Sequence, residues 1–167
     1  LLIKSIHIQS VDMFGRRVGF LKFHSKAFKD GKEVPGIVFM RGGAVAILLV
    51  LTCDGKQFTV LTKQPRVPIG DSNFAEIPAG MLDGDGNFSG VAAKELEEET
   101  SIRPREEELV DLTGLAYGEK EACEGMYPSV GGSDEYVKLF LYRRNVTQKY
   151  LDKLQDKLTG VTAEGEL

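Results

Sequence analysis

The sequence predicts an α+β fold in which mixed β-sheets carry only a few helices. Strand-like apolar runs fill the first half of the chain, and a helical pattern follows near residues 89–102. Further strand-like runs and a second helical pattern lie closer to the end. A doubly wound parallel sheet would need more helices between its strands, so sheets with one helix on each side fit this order better.

The predicted strands of the first half are separated by Gly, Asp and Pro residues that favour turns. They comprise the runs IKSIHIQSV, RVGFLKF, GIVFM, AVAILLVL, QFTVLTKQ and FAEIP. Beyond the first helix, the alternating runs LVDLTGLAYGE and YVKLFLYRR are predicted strands, and the Gly-rich GEKEACEGMYPSVGGSDE is the predicted loop between them. The run TQKYLDKLQDKL predicts a second helix.

Composition limits the classes of function. The chain has 167 residues, of which 42% are hydrophobic and 28% charged, which fits one globular domain with a sizeable core. A net charge of −4 disfavours a nucleic-acid partner, because such proteins need a basic surface. The most apolar run, residues 44–51, falls well short of the roughly 20 residues that span a bilayer, so no membrane partner is expected.

Cysteine and histidine usage also narrows the possibilities. Cys53 and Cys123 show neither a paired metal-ligand spacing nor a disulfide framework, which favours a reducing intracellular compartment, cytoplasmic or plastid/organellar. His7 and His24 are too few and too scattered to suggest a histidine metal site. The chain starts at Leu1, so a targeting presequence is not observable in it.

The first predicted helix, with Ser89 as its N-cap, concentrates acidic residues in its last turns. At about 100° per residue, Glu95, Glu98 and Glu99 fall on one stripe, whereas Glu97 points to the opposite side. Like charges at these spacings repel by roughly a few tenths of a kcal/mol per pair. Two explanations stay open, a solvated acidic face or a bound cation that offsets the repulsion.

The segment EIPAG, just before this helix, ends a strand in a sharp turn at Pro78 and Gly80. Such a turn can leave the Ala79 carbonyl pointing outward. Carbonyl and carboxylate oxygens are the ligands that Mg²⁺ prefers, with water and substrate phosphate completing its coordination. The stripe and this carbonyl are therefore a candidate Mg²⁺ site, with Mn²⁺ as a possible substitute.

These residues resemble the Nudix hydrolase box, which reads Gly, five residues, Glu, seven residues, then Arg-Glu-hydrophobic-x-Glu-Glu-x-Gly-hydrophobic. Counted from Gly80, residues 94–102 read KELEEETSI in register with the box, and all the stripe acids are present. Three positions depart from it: Gly86 replaces the box Glu, Lys94 the Arg and Ser101 the Gly. The first two departures remove a pair in which the Glu often helps to hold the Arg.

The resemblance covers most of the chain from Arg17 onward. The segments RVGFLKF, VPGIVFMRGGAVAILLVL, QPRVPIG, EIPAGMLD, PSVGGSDE and LFLYR resemble the ADP-sugar diphosphatase branch, which includes plant ADP-glucose and ADP-ribose pyrophosphatases. This implies a Nudix αβα sandwich with the box helix packed on the sheet, and a homodimer that exchanges N-terminal strands. The implied division is residues 1–40 for dimerisation and residues 41–167 for the Nudix domain, whose natural C-terminal end would lie beyond Leu167.

The resemblance implies Mg²⁺-dependent hydrolysis of the pyrophosphate bond of an ADP-sugar, ADP-glucose or ADP-ribose, to AMP and a sugar phosphate. The implied metal ligands are Ala79, Glu95, Glu98 and Glu99, of which Glu98 and Glu99 also serve catalysis. Glu135, on the loop after the box, matches the position of the general base. The matching substrate-binding positions are Arg66, Glu76 and Pro128.

Structural alternatives stay open for several of these residues. Glu135 could belong to a surface turn built on Gly131 and Gly132. Arg66 could be an exposed strand-end cation, and Glu76 could simply finish its strand. Single aromatic residues are more often core or rim than base-stacking groups, and this applies to Phe74, Tyr117 and Tyr127.

The alternative functions are cleavage of a UDP-sugar or another nucleoside diphosphate derivative, and a catalytically weakened domain that only binds nucleotide. Gly86 and Lys94 favour the weakened domain, whereas the intact acidic stripe and Glu135 favour an enzyme. A zinc-ribbon NADH pyrophosphatase is disfavoured, because the cysteines are too few.

Overall fold

A computed structural model of the chain describes residues 1–82, 87–118 and 125–155. This part contains three β-sheets, one of them mixed, and only three α-helices, which confirms the predicted α+β class. No helix within these ranges is long and apolar enough to cross a membrane. The expectations for Gly86 and Cys123 concern residues outside the described ranges.

The N-terminal sheet consists of four strands. β1 (Leu2–Phe14) and β2 (Arg17–Lys29) form a long antiparallel hairpin, and β3 (Lys32–Val34) and β4 (Ile37–Met40) both pair with β2. The turn between β2 and β3 is formed by Asp30 and Gly31, with φ angles of 51° and 78°. Asp-Gly with positive φ at both residues is the preferred chemistry of a two-residue hairpin turn.

Two β-bulges in β1 bring its apolar residues onto one face of this sheet. The register shifts between Ile3 and Ser5 and again between Ile8 and Ser10. The residues Ile3, Ile6, Ile8 and Val11 consequently pair with Ala27, Ser25, Phe23 and Leu21, respectively. These partners alternate along β2 and therefore share a face. We name Ile3, Ile6, Ile8 and Val11 the N-terminal apolar face; each of its side chains is between 45% and 57% exposed.

The remaining elements form two further sheets and the helices. In chain order they are β5 (Gly43–Cys53), β6 (Lys56–Thr59), β7 (Thr62–Arg66), β8 (Asp71–Glu76), β9 (Ala79–Met81), α1 (Phe88–Thr100), β10 (Leu109–Asp111), α2 (Leu112–Tyr117), β11 (Tyr136–Asn145) and α3 (Gln148–Leu154). The central sheet has the order β10-β11-β5-β6, with β9 also on β5, and β7 and β8 form a separate hairpin. Only the β5–β11 pair is parallel among the pairs described in the central sheet.

The core lies where α1 packs on the central sheet. Every second residue of β5 from Val45 to Leu51 is fully buried, as the apolar run AVAILLVL predicted. Ala92 and Leu96 of α1 are also fully buried in the same cluster, with Phe140 of β11 close to fully buried. Burying one such large aliphatic side chain stabilises the fold by roughly 1.5–3 kcal/mol. The implied packing of the box helix on the sheet is thus present.

The start of α1 differs from the prediction. The N-cap is Asn87, whose side-chain oxygen accepts a hydrogen bond from the Gly90 N–H at 3.1 Å. Ser89, the predicted N-cap, lies inside the first turn, and its hydroxyl donates to the Asn87 side chain. The prediction was wrong because Asn87 can also serve as an N-cap. The helix therefore begins two residues earlier than predicted, before its apolar face begins.

Two predicted strands are also corrected. Among the described residues of this run, 109–118, only β10 is a strand, because the Asp111 side chain accepts a hydrogen bond from the Gly114 N–H at 2.7 Å and starts α2. The run QFTVLTKQ divides into β6 and β7, which belong to different sheets. The second predicted helix is confirmed over α3, but it ends at Leu154 with Gln155 as its C-cap; residues 156–158 of the predicted run lie outside the described residues.

Candidate active site

The acidic stripe of α1 faces β9 and the β7–β8 hairpin. The Glu99 carboxylate accepts a hydrogen bond from the Ala79 N–H at 3.3 Å and another from the Thr62 hydroxyl at 3.5 Å. Glu97, by contrast, forms an ion pair with Arg103, just beyond the C-terminal end of the helix. The predicted division between the stripe and Glu97 therefore agrees with their contacts.

Gly80 is required for the approach of Glu95 to the strand end. A Cβ atom added at Gly80 would overlap the carboxyl group of Glu95. No larger residue fits this position unless Glu95 moves. The first glycine of the box thus has a physical role, since it lets a stripe carboxylate lie directly against the backbone of β9.

Lys94, which replaces the box Arg, still contacts the stripe. Its ammonium group lies 3.5 Å from the Glu98 carboxylate, one helical turn further on. The Lys94 side chain is largely exposed, so this pair contributes little to stability. It does place one positive charge beside the acids.

The Ala79 carbonyl faces away from β5. The Ile47 N–H donates to the Pro78 carbonyl at 2.8 Å, and the Leu82 N–H donates to the Gly43 carbonyl at 2.9 Å. Hydrogen-bonded and non-hydrogen-bonded residues alternate along an antiparallel pair, so Ala79 directs both backbone groups to the other side. Its N–H reaches Glu99 there, and its carbonyl keeps the outward direction that the sequence suggested.

The Glu99 carboxyl group is affected by its partly buried surroundings. Burial raises the pKa of its carboxyl group, the Ala79 hydrogen bond opposes this rise, and the negative charge of Glu76 adds to it. A nearby positive charge would stabilise the ionised Glu99 carboxylate and lower its pKa again. A divalent cation would supply that charge.

Arg66 and Glu76 contact each other across the β7–β8 hairpin. The Arg66 guanidinium makes two hydrogen bonds to the Glu76 carboxylate, one of them from Nε at 3.2 Å. The Gln64 amide donates to the same carboxylate at 2.6 Å. Two of the three predicted substrate-binding residues are thus brought together as one doubly hydrogen-bonded pair.

The loop before β11 carries Glu135 and is fastened to the end of β4. The Asp134 side chain accepts hydrogen bonds from the backbone N–H groups of Arg41 and Gly42, at 2.8 and 3.2 Å. The Glu135 carboxylate lies 3.3 Å from the Arg41 guanidinium. Glu135 therefore belongs to an ordered network rather than to a solvated turn.

A shallow cavity lies in the same loop region. Its volume is about 430 Å³, and its lining includes Tyr127, Val130, Ser133, Asp134 and Tyr136. The rings of Tyr127 and Tyr136 lie 6.0 Å apart and are tilted by 48°. Pro128 is exposed and follows Tyr127, which lines this cavity; its substrate-binding role stays a prediction.

The described residues do not gather the predicted ligands into one ready-made metal cluster of at least three His, Cys, Asp or Glu side chains. The donor chemistry nevertheless fits a hard divalent cation, because the stripe and the Ala79 carbonyl offer only oxygen atoms. Both the metal ligands and the general base stay predictions. The sequence did not single out Thr62, Gln64, Arg41 and Asp134, whose roles depend on contacts between distant segments.

The sequence profile of the NUDIX domain matches residues 40–161, most of the chain. The chain belongs to the Nudix hydrolase family. It is 48% identical to Nudix hydrolase 14, chloroplastic, of Arabidopsis thaliana over an alignment of 167 positions, which covers 98% of this chain and 53% of the relative. It is also 31% identical to the ADP-ribose pyrophosphatase of Bacillus subtilis over 134 residues, which are 80% of this chain and 63% of that relative. The Nudix chain thus spans between about half and less than two thirds of the lengths of these relatives.

The contact between Gly80 and Glu95 generates a prediction for this Nudix chain. Gly80→Ala should destabilise the fold by about 1–3 kcal/mol, because the new methyl group displaces the Glu95 carboxyl group. Urea unfolding with and without Glu95→Ala measures this effect. In the Glu95→Ala background the same change should cost much less, whereas an equal cost in both backgrounds would show that Glu95 is not the obstacle.

Proposed function

We propose that this chain hydrolyses the pyrophosphate bond of an ADP-sugar, ADP-glucose or ADP-ribose, to AMP and a sugar phosphate, with Mg²⁺ as cofactor. The observation that carries the proposal is the acidic stripe of α1, in register with the Nudix box, held against the strand end at Ala79 and Gly80. The ADP-sugar class is supported by the identity to the ADP-ribose pyrophosphatase of Bacillus subtilis.

The proposed metal site consists of the stripe and one carbonyl, namely Glu95, Glu98, Glu99 and Ala79. A bound Mg²⁺ would neutralise the pyrophosphate and activate water for attack. Mn²⁺ offers the same oxygen-ligand chemistry and is the proposed substitute.

Glu135 is the proposed general base, which takes a proton from the attacking water on a carboxylate oxygen. Arg66 is the proposed phosphate contact. Glu76 engages its Nε and one terminal nitrogen, which leaves the other edge of the guanidinium fork to donate to a phosphate oxygen. In this arrangement Glu76 and Gln64 hold the guanidinium in a fixed plane before substrate arrives.

Turnover should depend on metal. We expect Mg²⁺ or Mn²⁺ to raise the melting temperature and to switch on release of AMP from ADP-glucose or ADP-ribose, because a cation relieves the repulsion along the stripe. A chelator should abolish both effects. The measurement is product identification by chromatography over a panel that includes UDP-sugars, with melting followed in parallel. Metal-independent stability without any turnover would favour the solvated acidic face, and nucleotide binding without turnover would favour the weakened domain.

The stripe and Glu97 should respond differently to the same substitution. Glu98→Gln or Glu99→Gln should lower kcat/KM at least about a hundredfold, roughly 2.7 kcal/mol of barrier, because each removes a ligand charge while keeping the side-chain shape. Glu97→Gln is the matched control on the same helix and should stay within about twofold of the parent. Steady-state kinetics at saturating Mg²⁺ measure all three variants, and an equal loss at Glu97 would contradict the stripe assignment.

We also propose a homodimer that buries the N-terminal apolar face against a second copy of the chain. This face is largely exposed, while the opposite face of β1 carries Ser5, His7 and Ser10. β1 is moreover an edge strand in the described sheet, so its outer backbone groups are available for strand exchange. An amphipathic sheet of this kind is what a self-complementary interface requires.

The dimer can be tested on the two faces of one strand. Ile6→Glu with Ile8→Glu should weaken dimerisation at least about tenfold, because the interface would bury unpaired carboxylates. Ser5→Glu with His7→Glu adds the same two carboxylates on the polar face and should leave the dimer intact. Light scattering over a dilution series measures the mass, and a monomeric parent protein or equal effects of both changes would sink the proposed interface.

A further inference from the structure

Arg41 connects the N-terminal sheet to the loop that carries Glu135. It lies directly after β4, and its backbone N–H donates to Asp134 at 2.8 Å. Its guanidinium lies 3.3 Å from the Glu135 carboxylate and 5.8 Å from the centre of the Phe20 ring in β2. One side chain thus contacts both the proposed base and the aromatic surface of the N-terminal sheet.

The backbone around Arg41 fixes the same loop. The Phe39 N–H donates to the Gly132 carbonyl at 2.7 Å, and Phe39 and Ser133 form a parallel bridge. The Gly42 N–H adds a hydrogen bond to the Asp134 side chain at 3.2 Å. The position of the Glu135 backbone is therefore set by residues 39–42 on the strand end.

The Arg41–Glu135 pair is partly sheltered from water. The two side chains are 32% and 20% exposed, so solvent screens their attraction less than that of a surface pair. Phe20 packs against Phe14 and Phe39, with ring centres 5.0 and 5.3 Å apart. This aromatic group lies behind the guanidinium and limits the directions in which it can move.

The Arg41 side chain is held in an energetically unfavourable position, which indicates a specific role for it. Its Nε is buried and has no hydrogen-bond partner among the described residues. An unsatisfied buried donor is unfavourable, and an exposed arginine would avoid it. The side chain is held in a direction that serves the carboxylate of Glu135 rather than its own hydrogen bonding.

We propose that Arg41 is a positioning residue, which holds the Glu135 carboxylate in place for proton abstraction. This inference rests on the proposed function of Glu135 as general base. The ion pair engages one carboxylate oxygen, which leaves the other oxygen to accept the proton of the attacking water. The N-terminal sheet then supports turnover through Phe20 and Arg41, in addition to any role in assembly.

Kinetics of Arg41 variants test the positioning role. Arg41→Gln should lower kcat by roughly ten- to a hundredfold, because a reacting group displaced by about 1 Å loses up to that much rate. The KM for ADP-sugar at saturating Mg²⁺ should stay within about twofold, since Arg41 does not bind substrate in this scheme. Arg41→Lys should recover part of kcat, because it keeps the charge without the guanidinium fork. Arg103→Gln breaks the exposed pair with Glu97 and should match the parent.

A double-variant cycle separates this inference from the proposed function. Glu135→Gln alone should lower kcat by roughly 10² to 10⁴, and adding Arg41→Gln should lower it no further. A Glu135→Gln variant with parental kcat overturns the base assignment and the positioning role together. If Glu135→Gln is impaired but Arg41→Gln is not, or if the two losses multiply, the base assignment stands and the positioning role is overturned.

Folding of the variants is checked by their melting temperatures. If Arg41→Gln does not fold, Arg41→Lys and Phe20→Leu take its place in the cycle, since both retain a partly buried side chain of similar size. Phe20→Leu should lower kcat several-fold, by about 1 kcal/mol or less of barrier, with no additional loss in the Glu135→Gln background. A parental kcat in both replacement variants would overturn the positioning role.

Discussion

The packing of α1 on β5 determines where the acidic stripe of the candidate site lies. Ala92 and Leu96 are one helical turn apart and are fully buried against the central sheet. Because each residue of the helix is rotated by about 100° from the one before it, burial of this face fixes the directions of all neighbouring side chains. Glu99 meets β7 and β9, whereas Glu97 meets Arg103. The apolar packing of Ala92 and Leu96 thus fixes the directions of the glutamate side chains of α1, although it does not contact them.

This arrangement concentrates negative charge at a partly buried place. Glu99 loses hydration, and Glu76 lies close enough to raise the Glu99 pKa further. Arg66 balances the charge of Glu76 on the hairpin, and Lys94 balances that of Glu98 at the rim. Glu76 and Glu98 are therefore each compensated by a side-chain cation, and a substrate with its metal ions would have to reorganise these pairs.

Local patterns were sufficient to predict part of the fold and of the site. The β5 strand and the face of α1 could be read from the sequence, because the apolar period of a single element determines them. The N-cap and α2 could not, because Asn87 and Asp111 compete with other plausible starts and a single side-chain hydrogen bond decides between them.

Contacts between distant segments were beyond sequence reasoning. Nothing in the residues around Arg41 indicates that Asp134 and Glu135, more than 90 positions later, will lie against it. The pairing of Arg66 with Glu76 was likewise missed, although both residues were singled out separately. Their meeting follows from the β7–β8 register, which shifts by one residue between Gln64 and Arg66. In both cases chain topology, rather than residue type, creates the pair.

The bulges of β1 have a consequence for how the hairpin tolerates change. Side chains alternate along a strand, so each bulge reverses the inward and outward sense of everything that follows it. Two bulges cancel, which returns Val11 to the same sense as Ile3 and leaves only the segment between them inverted. Without the bulges, Ser5 and His7 would occupy the apolar face in place of Ile6 and Ile8. The side chains between the two bulges therefore alternate in the opposite sense to those before and after them. A one-residue deletion in β1 would reverse the direction of the side chains that follow it, and it would alter the surface chemistry of the sheet more than most substitutions.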